Sequence, residues 1–346
     1  MSIDNIIFYT FKNAKIWNPY KDIGSQHEIS NLSIENPSDC RCFVSILFGL
    51  SEKNMHRLML SINNLDDRRI QRIVYSFLIG IHIYEKSKTI RNAIDCKIEK
   101  YQKEVSLKNV TAPFSYIWFL ICLFHDLGYS QNDGEDLEYN TFNEFVIGKK
   151  VKSLRQVSGV PAYFGKVYKN YYNYRTKHHS RNDHGITAGM IMYNDLCKNR
   201  KELEENGCNY TYCGKELDKI YNLAGWIILS HNIWHINEDD DPYRAYLYNY
   251  LDPLVLKKNE YKIKFKEHPL FFLFCLIDSI EPIKIVKIFS MLKQVYLEAN
   301  NDKIVIKHEL PCGCGNNILK NAEGLNRWLT KTKRINNEVV INLISN

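Results

Sequence analysis

Trp118 to Tyr129, WFLICLFHDLGY, carries seven consecutive apolar residues straight into an adjacent histidine and aspartate, His125 and Asp126. A run of this kind belongs in a buried helix. A polar pair at its end then stands where an unpaired charge is costly. Three readings of the pair are open. It is a helix C-terminus turning to solvent with Gly128 as the stop, a buried hydrogen-bonded His–Asp pair, or a pair of metal ligands. Imidazole and carboxylate are ordinary ligands for Zn, Mn or Fe. Taken alone, the dipeptide favours the first two, so the rest of the chain decides.

The chain has 346 residues, enough for one large or two ordinary domains. Apolar residues at 45% and charged residues at 25% describe a soluble globular protein. The net charge of +7 suits phosphate-bearing substrates without demanding nucleic acid. Of ten cysteines, Cys122 and Cys275 lie inside apolar runs and read as buried free thiols. Ile3 to Tyr9 is broken by Asp4 and Asn5, which argues against a signal peptide. No apolar run approaches the length of a bilayer span. The expected setting is a reducing cytoplasm.

Along the chain, residues 1–66 read as an N-terminal extension, 67–297 as a helical domain, and 298–346 as a small α+β unit. Arg68 to Ser87 has helical spacing, with apolar positions at Ile70, Ile73, Val74, Phe77, Leu78 and Ile81. Ile90 to Glu104 reads as a polar helix. Asn182 or Asp183 caps a helix running from His184 to about Cys197. Leu217 to Trp234 is a long apolar helix through Ser230-His231, and Pro269 to Ile280 is another carrying Asp278. Loops are expected around Asp133-Gly134 and Gly159-Val160-Pro161, and Asn206-Gly207 and Cys213-Gly214 bracket an insertion. In the tail, Lys303 to His308 and Val339 to Ile344 alternate like strands, with a helix over Asn316 to Leu329.

Polar residues thus punctuate apolar helices in the order His125-Asp126, His184, His231, Asp278. At these motifs, CLFHDLG, RNDHG, ILSHNIW and FLFCLIDSIEP, the chain resembles the HD superfamily of metal-dependent phosphohydrolases, over residues 68–290. The resemblance implies a mainly α fold with an HD-type helical core. It implies that His125, Asp126 and Asp278 bind one divalent metal, and that His184 and His231 serve a second ion where two are present. The ions would be Mn, Fe, Zn or Mg. The family pattern starts with an upstream histidine. Either His82 fills that role, or the position falls at Arg69 or Arg72 and the ligand is lost. Tyr129 stands where a cyclic-dinucleotide subset has lysine, so that subset is not assigned. A divalent metal polarises a phosphoryl oxygen and lowers the pKa of water. Asp126 and Asp183 are the catalytic candidates, Asp183 as an orienter of His184 or as general base.

His178, His179, Arg181 and Lys284 are candidates for binding substrate phosphate, against a solvated basic loop or a helix-end role. His235 shares a helix face with His231 only if the helix extends that far; a loop position is the favoured reading. Tyr168, Tyr171, Tyr172 and Tyr174, interleaved with basic residues, either stack on a nucleic-acid base or pack. Two C-x-C pairs, Cys40/Cys42 and Cys312/Cys314, lack usual zinc spacing. The favoured expectation is hydrolysis of a phosphoester in a nucleotide or similar small phosphorylated molecule. The alternatives are a non-catalytic nucleotide-sensing module and a nuclease acting on single strands.

Overall fold

The computed structural model describes residues 1–13, 32–51, 56–104, 112–131, 139–207, 217–257, 263–281, 289–310 and 314–343. The fold is mainly α, with a small sheet near the C-terminus. Helices α1 (Ile3–Lys12), α2 (Pro37–Ser51), α3 (His56–Asn63), α4 (Asp67–Lys86), α5 (Lys88–Glu104) and α6 (Phe114–Phe124) lead to the His-Asp pair. After it come α7 (Phe142–Lys149), α8 (Phe164–His179), α9 (His184–Glu205), α10 (Leu217–Ser230), α11 (Tyr243–Tyr248) and α12 (Pro269–Ile280).

Helix α6 sits at the centre. Apart from Ser115, all its residues are buried. A helix apolar on all sides has no face for water and must be enclosed by others. Helices α4 and α10 pack against it, α9 packs along α10, and α12 packs on α4. Helix α4 starts where Asp66 caps the Arg69 backbone N–H at 3.0 Å, and its expected apolar stripe is buried. Its Gly80 has a specific cause. A Cβ there would overlap the indole of Trp118, which donates through Nε1 to the Phe77 carbonyl at 3.1 Å.

The N-terminal helices are part of this body rather than an extension from it. Helices α1 and α2 both pack on α4, burying Ile6, Ile7, Phe11, Phe43 and Leu47. Strands β1 (Ile236–Asn237) and β2 (Val255–Leu256) form a short parallel pair. The C-terminal unit holds β3 (Val295–Ala299), β4 (Lys303–His308), α13 (Cys314–Gly324), β5 (Thr332–Ile335) and β6 (Glu338–Asn342). Its sheet runs β3-β4-β6-β5, all antiparallel, with Ile304, Ile306, Val339 and Ile341 buried. The unit begins a few residues earlier than its sequence pattern suggests. Its helix stops at Gly324, and Leu325–Arg327 tighten into a 3₁₀ turn. The chain start is tied to this sheet, since Leu297 N–H donates to the Met1 carbonyl at 3.0 Å. Among the described residues, no helix is long and apolar enough to cross a membrane.

Gly80→Ala tests the α4–α6 contact. Helix propensity alone would gain roughly 1 kcal/mol, but the methyl must displace a fully buried indole, an overpacking cost of about 1–3 kcal/mol. The expected net effect is a lower urea midpoint than wild type. A raised midpoint would show that Trp118 moves freely.

Candidate functional site

The chain between α6 and α9 brings the first polar residues together. Helix α6 ends at Phe124, and Leu127–Gln131 form a 3₁₀ turn. A Cβ on Gly128 would collide with the His184 backbone, so glycine lets this turn lie directly against the start of α9. His184 opens α9 behind its cap Asp183, whose Oδ1 accepts from Ile186 N–H at 2.9 Å. His231 follows the last residue of α10, and Asp278 lies near the end of α12. The imidazole centroids of His125 and His231 are 5.8 Å apart, and those of His184 and His231 are 5.2 Å apart. His125 Nε2 lies 3.5 Å from Asp126 Oδ1 and 3.9 Å from Asp278 Oδ1. The four elements therefore meet at one point.

Backbone carbonyls orient two of the rings. His125 Nδ1 is 2.8 Å from the Cys122 carbonyl and His231 Nδ1 is 2.6 Å from that of Ile228. A carbonyl only accepts, so both Nδ1 atoms carry the proton and both Nε2 atoms present a lone pair. His184 is set the other way. Asn232 Nδ2 donates to Asp183 Oδ2 at 2.6 Å and lies 3.2 Å from His184 Nδ1. Because Asp183 accepts, the Asn232 atom is the amide nitrogen, and His184 Nδ1 accepts in turn. The neutral ring then holds its proton on Nε2. Burial pushes the pKa of all three imidazoles down, for His184 well down, with His231 adding to the effect there. Burial raises the pKa of Asp183, which acts on His184 through Asn232 and fits the orienting role.

Cations face the carboxylates. Arg72 places Nη1 3.0 Å from Asp126 Oδ2, Nη2 3.4 Å from Asp278 Oδ1, and Nε 3.3 Å from Glu281 Oε2. Arg69 Nη1 is 3.7 Å from the same Asp126 oxygen. Burial opposes charge on Asp126, but neighbouring His125 and Arg72 outweigh it and hold the carboxyl below the usual range. Burial also works against a charged Arg72, yet Asp126, Glu281 and Asp278 keep it firmly protonated. Asp126 Oδ2 and Arg72 Nε are close to their partners without the alignment of a hydrogen bond. Three carboxylates, Asp126, Asp278 and Glu281, thus gather around Arg72, with Arg69 at the edge of the cluster and paired more closely with Asp66 at 2.9 Å. Above it, Tyr129 is sandwiched, with the Arg69 guanidinium 3.6 Å from its ring centroid and the His184 ring stacked at 4.1 Å.

A cavity of about 1040 Å³ opens over this cluster. Arg72, Asp126, Tyr129, His184, His231 and Asp278 line one side. The C-terminal unit lines the other, with Trp328 parallel to His235 at 5.9 Å.

Of the expected ligands, His82 is not at the site. It lies ten residues beyond Arg72 on α4, about 15 Å along the axis. Arg69 and Arg72 occupy the place instead. His178, His179 and Arg181 are exposed around the end of α8, with both histidines against Tyr174, and none of the three lines the cavity. Lys284 and Cys312 fall outside the described residues. His235 lies in the loop after α10, as favoured, and its Nε2 is 2.9 Å from Tyr163 Oη. Tyr168, Tyr171, Tyr172 and Tyr174 are buried, so they pack rather than offer a stacking face. Asn232 and Glu281 lie inside the motifs around His231 and Asp278 without a ligand signal of their own, and the lining residues of the C-terminal unit lie in no motif. Their only sequence signal is position beside a motif residue, and the C-terminal set lacks even that.

Among the described residues, no group of three or more His, Cys, Asp or Glu side chains is arranged to hold a metal ion as it stands. The donor chemistry nonetheless suits one cation. His125 Nε2 is within about 4.2 Å of both Asp126 and Asp278, the span of two bonds of about 2.1 Å to a common centre. Two carboxylates beside a neutral imidazole lone pair form a donor set of the kind divalent ions take. Arg72 stands against a second. No protein-family model matches the chain, and no curated protein or solved structure matches it.

Two outcomes follow. Arg72→Met leaves three carboxylates crowded in a buried site, and a loss of about 3–5 kcal/mol is expected at pH 7; urea unfolding measures it, and a loss under 1 kcal/mol would show the clamp to be dispensable. His82 is a buried neutral imidazole whose pKa burial, then Lys86, pushes down to about 4. Its unfolded value is about 6.5, so the stability it contributes is whole above pH 6.5 and is lost progressively down to about pH 4. His82→Gln should therefore lose about 2 kcal/mol less than wild type between pH 7.5 and pH 5. Equal losses in the two proteins would contradict this.

Proposed function

We propose that the cluster is the reaction centre of a metal-dependent phosphohydrolase with an HD-type helical core. Its substrate is a nucleotide or similar small phosphorylated molecule. The observation that carries this is the convergence of His125, Asp126, His231 and Asp278, of which Asp126, His231 and Asp278 line a large cavity with His125 directly behind them. His125, Asp126 and Asp278, with His231 beside them, would hold one divalent ion, which supplies polarisation of a phosphoryl oxygen and activation of water.

The chain's own residues do the rest. His184, with its proton on Nε2, donates a hydrogen bond to a phosphoryl oxygen rather than serving as a ligand. Asp183 and Asn232 keep it in that tautomer, and the Tyr129 ring holds its plane. The carbonyls of Cys122 and Ile228 aim the other two imidazoles. Arg72 supplies the positive charge that a second ion would bring, and it braces both carboxylates. The burial of Tyr168, Tyr171, Tyr172 and Tyr174 weakens one of the two features behind the nuclease alternative, the other being the net charge of +7.

A second reading rests on one observation. Arg72 already engages Asp126 and Asp278, so the same pocket without metal would be a non-catalytic nucleotide-sensing module.

The deciding experiment is elemental analysis of the purified protein, with a nucleotide panel assayed in Mn, Fe, Zn and Mg. One divalent ion per chain and product release are expected. Asp126→Asn should lose the ion and reduce hydrolysis by more than about 100-fold. Absence of both metal and hydrolysis, with nucleotide binding retained, would replace this reading with the sensing module.

A further inference from the structure

The side of the cavity facing the cluster belongs to α13 and the turn after it, which contribute Lys320, Asn321, Glu323, Arg327 and Trp328. Helix α13 packs on its own sheet and on α12, with Ile318, Leu319, Ala322 and the following Leu325 buried, while Lys320, Asn321 and Glu323 line the cavity. The charges on it are unequal. Glu323 is held by Arg334 at 3.2 Å. Lys320 and Arg327 are exposed and make no ion pair among the described residues. Asp240, also on the lining, accepts from the Asn237 backbone at 2.7 Å. Two uncommitted cations therefore face a reaction centre across a cavity at the upper end of the usual 300–1,000 Å³ for small-molecule sites. A single phosphoryl group at the floor would leave that space and those cations without a partner.

We propose that Lys320 and Arg327 form a second anion subsite, so that the substrate carries an anionic group remote from the phosphoryl group that reacts. This rests on the reading of the floor as the reaction centre. Guanidinium and ammonium groups make charge-assisted hydrogen bonds to phosphate oxygens, and a chain of phosphates is the ligand chemistry that reaches both sides. The subsite selects substrates by their length and charge, while the floor performs the reaction.

The test is binding of tripolyphosphate with its bridging oxygens replaced by NH groups, so that no turnover occurs, and of orthophosphate to the full chain as purified with its metal, by calorimetry. The tripolyphosphate analogue should bind at least about tenfold tighter than orthophosphate. The double variant Lys320→Ala, Arg327→Ala should erase that preference, while Lys333→Ala, on an exposed edge outside the cavity, should keep it. Both cations are exposed, so folding is retained, which a circular dichroism melt checks. An unchanged preference in the double variant overturns the subsite, as does equal binding of the two anions to wild type. Hydrolysis assayed separately keeps the two claims apart. A lost preference without any hydrolysis leaves the subsite standing and removes the phosphohydrolase, whereas hydrolysis with an unaltered KM in the double variant does the reverse.

Discussion

The clamp of Arg72 on Asp126, Asp278 and Glu281 is the interaction on which the site depends. Each of these groups is largely withdrawn from water, and the desolvation cost is several kcal/mol per buried ion. No carboxylate here is tolerable without an opposite charge within reach. One guanidinium meets this for three of them, because its planar fork presents donors in different directions. The clamp also joins α4, the turn after α6 and the end of α12. Apolar packing around α6 is non-directional and would accept small slides of these helices. The ion cluster accepts few, since a shift of an ångström would break contacts of 3.0 to 3.4 Å. Burial thus assembles the bundle, and the polar cluster sets its register.

The same division explains the histidines. Their burial makes them neutral, and neutrality makes their tautomers matter. Two have Nδ1 fixed by the carbonyl three residues earlier, a contact that the end of any helix can supply. The third begins a helix, where no such carbonyl is available. Its Nδ1 is reached by Asn232, itself held by the capping carboxylate Asp183. Position in the helix therefore decides which imidazoles offer a lone pair and which a proton. Ligand-type residues are not chemically equivalent once that local context is known.

Much of this was legible in the sequence. The run before His125 announced a fully enclosed helix, and the family resemblance carried by the polar residues in apolar settings implied that His125, Asp126, His184, His231 and Asp278 meet, as they do in the structure. The cap at Asp183 and strand β4 were visible too, because short-range hydrogen bonding and period-two burial leave local marks. Other features leave none. His82 lies on the same helical stripe as the core, so its burial mimics a ligand's. Only the three-dimensional arrangement shows that the end of α4 carrying Arg69 and Arg72 faces the cluster. Helices α1 and α2 looked peripheral because residues 1–66 hold few long periodic segments, yet each packs on α4. The cavity wall is the clearest case. Lys320, Arg327 and Trp328 lie in a polar helix and turn with no motif, and their relevance comes wholly from what they face.

That wall is not loosely hung. Its helix is backed by the four-stranded sheet, whose first strand is bonded to Met1 and lies beside α1, and α1 packs on α4. A continuous path of packed elements therefore runs from Arg72 at the floor, through α4 and α1, to the sheet that carries the opposite side. The stacked pair His235 and Trp328 closes a second route, from the loop after α10 to the turn after α13. These routes, with the direct packing of α13 on α12, constrain both the separation and the tilt of the wall, since one alone would leave a hinge. The cavity's width is then a property of the folded core, and a ligand that spans it meets both sides already in place, without the ordering cost that a mobile lid would add.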